Sequence, residues 1–80
     1  MIERIFDWNK FAPKVVDEAF NNMGVKTRQD RANIAHKLSK YATKNDAELM
    51  AEAFADAMSN KDKAQEISKE IFKILKREMK

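Results

Sequence analysis

Apolar residues recur at steps of three and four along most of the chain, the spacing that places side chains on one face of an α-helix. The pattern predicts four helices, at about residues 2–23, 28–42, 46–58 and 61–79. The connections between them are two to four residues long, too short to hold a second domain. We therefore expect one all-α domain over residues 1–80, a compact bundle or an orthogonal array of about four amphipathic helices.

Two residues affect the course and the end of the first helix. Pro13 removes a backbone donor and disfavours helical geometry at Ala12. The first segment is therefore either one kinked helix or a short leading turn followed by a fresh helix that starts near Pro13. Gly24 follows the last apolar position, Met23, and predicts a left-handed end to the helix.

Polar residues that can cap a helix precede the other three helices. The hydroxyl of Thr27 is expected to cap the second helix, and either Thr43 or Asn45 the third. Asn60 is the corresponding cap predicted for the fourth.

The apolar stripes predict the core. Tyr41 and Phe54 are expected to fill it, and small alanines to let the helices approach closely. The methionines expected in the core are Met23, Met50, Met58 and Met79. Phe72 lies at the edge of its stripe and Trp8 lies near Pro13, so these two are candidates for a partly exposed aromatic patch, a feature that marks interfaces.

Composition excludes several classes of protein. The 80 residues include one glycine, one proline, one histidine and no cysteine. Hairpin turns draw heavily on glycine and proline, so an all-β fold is excluded, and disulfides and thiolate zinc sites are excluded with it. The chain has no apolar run that could span a bilayer and no signal-peptide pattern, so we expect it in the cytoplasm and not in a membrane.

The net charge of +3 conceals a segregation along the chain. Residues 25–45 carry six basic groups and one acidic group, whereas residues 46–58 carry four acidic groups and no basic one. The basic side chains of residues 26–44 could contact nucleic-acid phosphates. The candidates are Lys26, Arg28, Lys37, Lys40 and Lys44. The favoured interpretation is a solvated face paired with the acidic third helix.

Three acidic residues follow one another at helical spacing on the third helix. Glu48, Glu52 and Asp56 lie at i, i+4 and i+8, so their carboxylates share one face. We interpret this row as an acidic solvent face, and its members as candidate interaction residues. It lacks the loop oxygens of a calcium site.

The most specific stretch runs from Tyr41 to Phe54 and reads YATKNDAELMAEAF. It resembles a signature near the C-terminus of lethal-factor-like zinc peptidases and of the related domain that ends many phage minor head (head-morphogenesis) proteins. The phage group is the more similar, because there too a short polar loop and a closing helix follow the signature. The resemblance covers roughly residues 38–80.

The resemblance implies half of a zinc site. In the active peptidases the position matching Glu48 is a zinc ligand, supported by a neighbour matching Glu52, and two histidines of an H-E-x-x-H helix complete the site. This chain has no such motif, and its one histidine, His36, falls on the polar side of its helix. We therefore expect no metal, no cofactor, no catalytic residue and no enzymatic activity.

These observations support three hypotheses. The first is a non-enzymatic helical protein–protein interaction module of a phage or prophage, with a phage structural protein, a host protein or its own copy as partner. It would act in the cytoplasm of an infected or lysogenic bacterial host or in association with the virion. The second is nucleic-acid binding through residues 26–44, and the third is the C-terminal fragment of a longer zincin-like phage head protein.

Overall fold

A computed structural model describes residues 8–78, with the backbone alone described at Trp8. These residues form α1 (Trp8–Asn22), α2 (Arg28–Leu38), α3 (Asp46–Asn60) and α4 (Glu66–Glu78), and 3₁₀ turns at Tyr41–Thr43 and Lys61–Lys63. No strand occurs in this part of the chain, so the predicted all-α class is confirmed. Residues 2–7 of the predicted first helix, the side chain of Trp8 and Met79 lie outside the described residues.

The core lies where α1, α3 and α4 meet. Its largest fully buried side chains come from all three helices and include Val15, Phe20, Met50, Ile67, Ile71, Ile74 and Leu75. The Cα radius of gyration is 12.1 Å, near the value of roughly 11–12 Å expected for a folded chain of this length. The predicted compact bundle is confirmed. None of the helices in residues 8–78 is long and apolar enough to cross a membrane.

Helix α1 runs through Pro13 without a break, so the alternative of a fresh helix starting there is wrong. Pro13 and Asn9 are both exposed. The carbonyl of Asn9, which loses its helical donor at Pro13, therefore lies on the side of the helix that faces water. At the other end Gly24 has φ +76°, and the Val25 N–H donates to the Phe20 carbonyl at 2.9 Å. This is the left-handed helix end predicted at Gly24.

Helix α2 ends at Leu38, four residues earlier than the predicted boundary at residue 42. Ser39 is extended (φ −175°, ψ 147°), and its Oγ accepts the N–H of Tyr41 at 3.0 Å. Such a local side-chain bond competes with continued helix. The break changes which residues of the following turn face the core, so Ala42 is buried and Tyr41 is 54% exposed. The prediction that Tyr41 fills the core is wrong.

Two of the predicted caps are present and one is not. Thr27 Oγ1 accepts the Asp30 N–H at 3.1 Å, and Asn45 Oδ1 accepts the Glu48 N–H at 2.8 Å. Asn60 does not cap the fourth helix, because it is the last residue of α3 and α4 begins only at Glu66. The intervening turn, Lys61–Lys63, turns the chain back along α3.

Asp56 provides the missing cap from the preceding helix. Its Oδ2 accepts the Gln65 N–H at 2.9 Å, and its Oδ1 accepts from Asn60 Nδ2 at 2.6 Å. The amide of Gln65 is one of the donors that the start of α4 leaves without a helical acceptor. A carboxylate three turns along α3 thus fixes where α4 begins, and α3 and α4 pack along each other from that point.

Candidate functional site

An open groove lies between the C-terminal end of α3 and the outer face of α4. We call it the α3–α4 groove. It has a volume of about 560 Å³ and is lined by Ala57, Met58, Lys61, Asp62, Lys69 and Phe72. It arises because the turn after α3 brings Lys61 and Asp62 over the channel that the two helices leave between them.

The floor of the groove is apolar. Met58 is 53% exposed, one of two large hydrophobic side chains in residues 8–78 that face solvent to this degree. Phe72 is half-buried, and its ring centroid lies 5.6 Å from that of Phe54 at an angle of 42°. The prediction that Met58 is a core residue is therefore wrong, whereas Met50 is fully buried as predicted. A flexible thioether in contact with water is a ready contact for an apolar partner.

The rim of the groove is cationic. Lys61 and Lys69 line it, and Lys76 Nζ lies 5.6 Å from the centroid of the Phe72 ring. Asp62 is the single acidic residue of the lining, so these four groups sum to +2. Within residues 8–78 none of the three lysines lies within 4.0 Å of a carboxylate. The rim charge is thus not neutralised by ion pairs within this part of the molecule.

The predicted acidic row does not form one solvent face. Glu48 is exposed, Glu52 is half-buried, and Asp56 is half-buried and bonded to the start of α4. Burial acts to raise the pKa of Asp56, but the Ser68 hydroxyl, the Gln65 amide and the Asn60 amide together lower it below the ordinary value of 3.8. Ser68 Oγ is itself buried and makes no hydrogen bond of standard geometry to a described residue, so it acts on Asp56 by proximity. Asp56 therefore has a structural role at the start of α4.

The predicted basic residues are all exposed, but they do not share a helix. Lys37 lies in the last turn of α2, whereas Lys40 and Lys44 flank the 3₁₀ turn. Exposed Tyr41 lies among them, with Lys40 Nζ 5.8 Å from its ring centroid. The structure thus places an aromatic ring on a surface where the sequence pattern predicted none.

A cluster of polar contacts joins α2 to α1. Arg31 Nη1 pairs with Asp17 Oδ1 at 3.1 Å, and the guanidinium carbon lies 5.1 Å from the centroid of the Phe20 ring. The next residue of α1, Glu18, pairs with Arg77 of α4 at 2.9 Å, which raises the pKa of Arg77. These contacts attach helices to α1 and leave no free charge for a ligand.

Sequence reasoning found Phe72 but missed the residues that complete the groove. Met58 is four residues from Phe54 and so follows it on the same face of α3. That spacing could have placed Met58 at the edge of the apolar stripe. Lys61 and Lys69 carried no signal, because the turn that brings them together depends on the tertiary contact between Asp56 and Gln65.

The other candidates are a metal site, His36 and Trp8. In residues 8–78 no group of three or more histidine, cysteine, aspartate or glutamate side chains is placed to hold one metal ion. His36 is exposed, as predicted. Trp8, a predicted interaction residue, has its side chain outside the described residues.

Comparisons with models of protein families, with curated proteins and with solved structures give no match to this chain. The resemblance of residues 38–80 to phage minor head proteins therefore stays a prediction from sequence.

Proposed function

We propose that the chain is a non-enzymatic protein–protein interaction module of phage or prophage type, and that its partner docks at the α3–α4 groove. The observation that carries the proposal is the exposure of Met58 beside Phe72 in a groove with a charged rim. Fully burying an exposed methionine or phenylalanine side chain contributes about 1.5–3 kcal/mol, and Met58 and Phe72 each keep part of that surface in water. A partner that covers both therefore gains the central apolar contact from which interfaces derive most of their affinity.

The phage assignment rests on the sequence of Tyr41–Phe54 alone. The partner that this resemblance suggests is a phage structural protein or a host protein, in the cytoplasm of an infected or lysogenic bacterium or in the virion. The third hypothesis, a fragment of a longer zincin-like head protein, predicts the same groove, because α3 and α4 both lie within the resembling segment.

Site-specific photocrosslinking tests the proposal. A photoreactive amino acid replaces Met58 in one variant and exposed Asn33 of α2 in a matched control, and both are expressed in a lysogenic or infected host. We expect a discrete adduct at position 58 that position 33 does not give. The crosslinked protein, once identified and purified, should bind the wild-type chain and bind Met58→Glu at least about tenfold more weakly. Equal adducts at both positions would contradict the proposal.

Nucleic-acid binding is a second candidate, and exposed Tyr41 is the observation that favours it. Single-stranded nucleic acid binds where bases stack on aromatic rings and lysines follow the phosphates. Tyr41 with Lys37, Lys40 and Lys44 provides a small surface of this kind.

Fluorescence anisotropy with a labelled single-stranded oligonucleotide tests this second function. Binding at low salt should weaken steeply as salt rises. Tyr41→Ala should weaken binding by about tenfold, whereas Tyr41→Phe, which keeps the ring, should not. No binding at low salt, or equal effects of the two variants, would exclude it.

A further inference from the structure

We propose that the α3–α4 groove takes an acidic amphipathic helix of a partner protein. The apolar face of that helix would contact Met58 and Phe72, and its carboxylates would contact Lys61, Lys69 and Lys76. This inference rests on the proposed function and adds to it the conformation and the charge of the partner.

We infer a helical partner segment because the groove offers no strand edge to an extended peptide. Its floor is formed by side chains of Ala57, Met58 and Phe72, and no strand edge exists in residues 8–78 to pair with an extended peptide. A segment lying in an apolar groove must satisfy its own backbone donors and acceptors, as a helix does.

The charge of the partner follows from the rim. Lys61 and Lys69 line the groove and Lys76 lies beside Phe72, and within residues 8–78 the three have no carboxylate partner within 4.0 Å. By contrast Lys73, on the same helix, pairs with Glu70 at 3.3 Å. Exposed pairs add little affinity one by one, but three of one sign repel a basic segment and speed the approach of an acidic one.

A protein helix fits this surface better than a nucleic acid does. One face of the Phe72 ring is directed toward Lys76, and the ring packs against Phe54, so little of it is left for a base to stack on. Met58 offers apolar contact and no hydrogen bond to a base or a sugar. Tyr41, which is 54% exposed, is the more accessible aromatic side chain for stacking among the described residues.

Two designed peptides of about 18 residues, long enough for roughly 27 Å of helix, test the inference. Both carry leucines at i, i+3, i+4 and i+7, and they differ only in having glutamates or lysines beside the leucines. Fluorescence anisotropy with the purified full chain, at about 50 mM and about 300 mM salt, measures their affinities. We expect the acidic peptide to bind at least about tenfold more tightly than the basic one, and this preference to shrink at the higher salt.

Matched variants locate the binding. Lys61→Glu with Lys69→Glu should reverse the preference, so that the basic peptide binds more tightly. Lys26→Glu with Arg28→Glu changes the net charge equally at exposed residues outside the groove and should leave the preference as in the wild type. Met58→Glu should weaken the acidic peptide by about tenfold or more. Circular dichroism establishes that each variant is folded.

Several outcomes would overturn the inference. One is an equal affinity for the two peptides or no binding of either, and another is a preference that the Lys61 and Lys69 reversal leaves unchanged. Binding of a single-stranded oligonucleotide that this reversal abolishes would assign the rim to nucleic acid. Self-association that Met58→Glu disrupts and the acidic peptide does not compete with would assign the groove to a second copy. An adduct at position 58 would still support the proposed function if the peptides failed, so the two failures are distinguishable.

Discussion

Helices α2 and α4 are similar in length, 11 and 13 residues, but they are held to the molecule in different ways. Helix α4 buries four large apolar side chains along one stripe, whereas α2 buries only Ala35 among its residues. Polar contacts replace burial in α2: the Thr27 cap at its start and the Arg31 pair with Asp17 at its side. We therefore expect α4 to open only together with the core and α2 to open without it.

Truncating one isoleucine in each helix gives the largest expected difference in stability between α2 and α4. Ile71 of α4 is fully buried, and Ile71→Ala should cost about 2–5 kcal/mol of unfolding free energy. A domain of this size has roughly 3–5 kcal/mol in total, so this variant should be largely unfolded. Ile34 of α2 is only half-buried, and Ile34→Ala should cost about 1 kcal/mol. Urea unfolding followed by circular dichroism measures both, and equal costs would mean that α2 belongs to the core.

The second prediction concerns the start of α4. Asp56→Ala removes the acceptor of the Gln65 N–H and should cost about 1 kcal/mol at neutral pH, as the loss of a helix cap does. In a domain of this size that loss lowers Tm by about 4–8 °C. Asp56→Asn keeps an acceptor oxygen and should cost less, so it is the matched control.

The same carboxylate gives stability a dependence on pH. The pKa of Asp56 is lower in the folded chain than its ordinary value of 3.8, so the folded state binds this proton more weakly than the unfolded state does. Its stabilisation is complete above the unfolded-state pKa and is lost as pH falls through the folded-state pKa. The difference in Tm between wild type and Asp56→Asn should therefore shrink between about pH 6 and about pH 2. A constant difference would mean that Asp56 acts without its charge.

The contrast between the helices also explains what could be predicted from sequence. The stripe of Ile67, Ile71, Ile74 and Leu75 reports burial directly, because side chains at that spacing share one face of the helix and that apolar face packs into the core. The boundary of α2 could not be read in this way. It depends on the hydrogen bond that the Tyr41 N–H donates to Ser39 Oγ, which competes with a helix that propensity alone would continue.

The groove was beyond prediction for a related reason. To predict its floor one must know that Met58 lies past the edge of the core. To predict its rim one must know the turn that Asp56 and Gln65 define. Local pattern places Phe72 at a stripe edge, but only tertiary contact places Lys61 and Lys69 beside it. The arrangement of the basic residues differs for a similar reason, since Lys40 and Lys44 flank the 3₁₀ turn that follows the end of α2.

The third prediction uses the backbone of the turn that leads into α4. Lys61 has φ +47° and ψ −113°, a region that a residue with a Cβ adopts at a cost. Lys61→Gly should therefore raise the unfolding free energy by about 0.5–1 kcal/mol. The same change removes a rim lysine, so the variant should be more stable and yet bind the acidic peptide more weakly. Thermal unfolding of Lys61→Gly, compared with the exposed-site control Lys63→Gly, measures the change in stability. An equal gain in stability in both variants would refute strain at Lys61.

The smallest expected effect tests the polar attachment of α2. Arg31→Lys keeps the charge toward Asp17 but loses the planar group over Phe20, and it also removes Nε, which is buried without a hydrogen-bond partner among the described residues. Losing the contact over Phe20 lowers stability, whereas removing the unpaired Nε raises it, so the two effects partly offset. We therefore expect a net cost of about 0.5 kcal/mol in the free energy of unfolding. Native-state hydrogen exchange is the sharper measurement, because it separates local opening from global unfolding. Amides of α2 should exchange faster than those of α4 in the wild type. Arg31→Lys should widen that gap, and an equal acceleration in both helices would mean that α2 opens only when the whole core does.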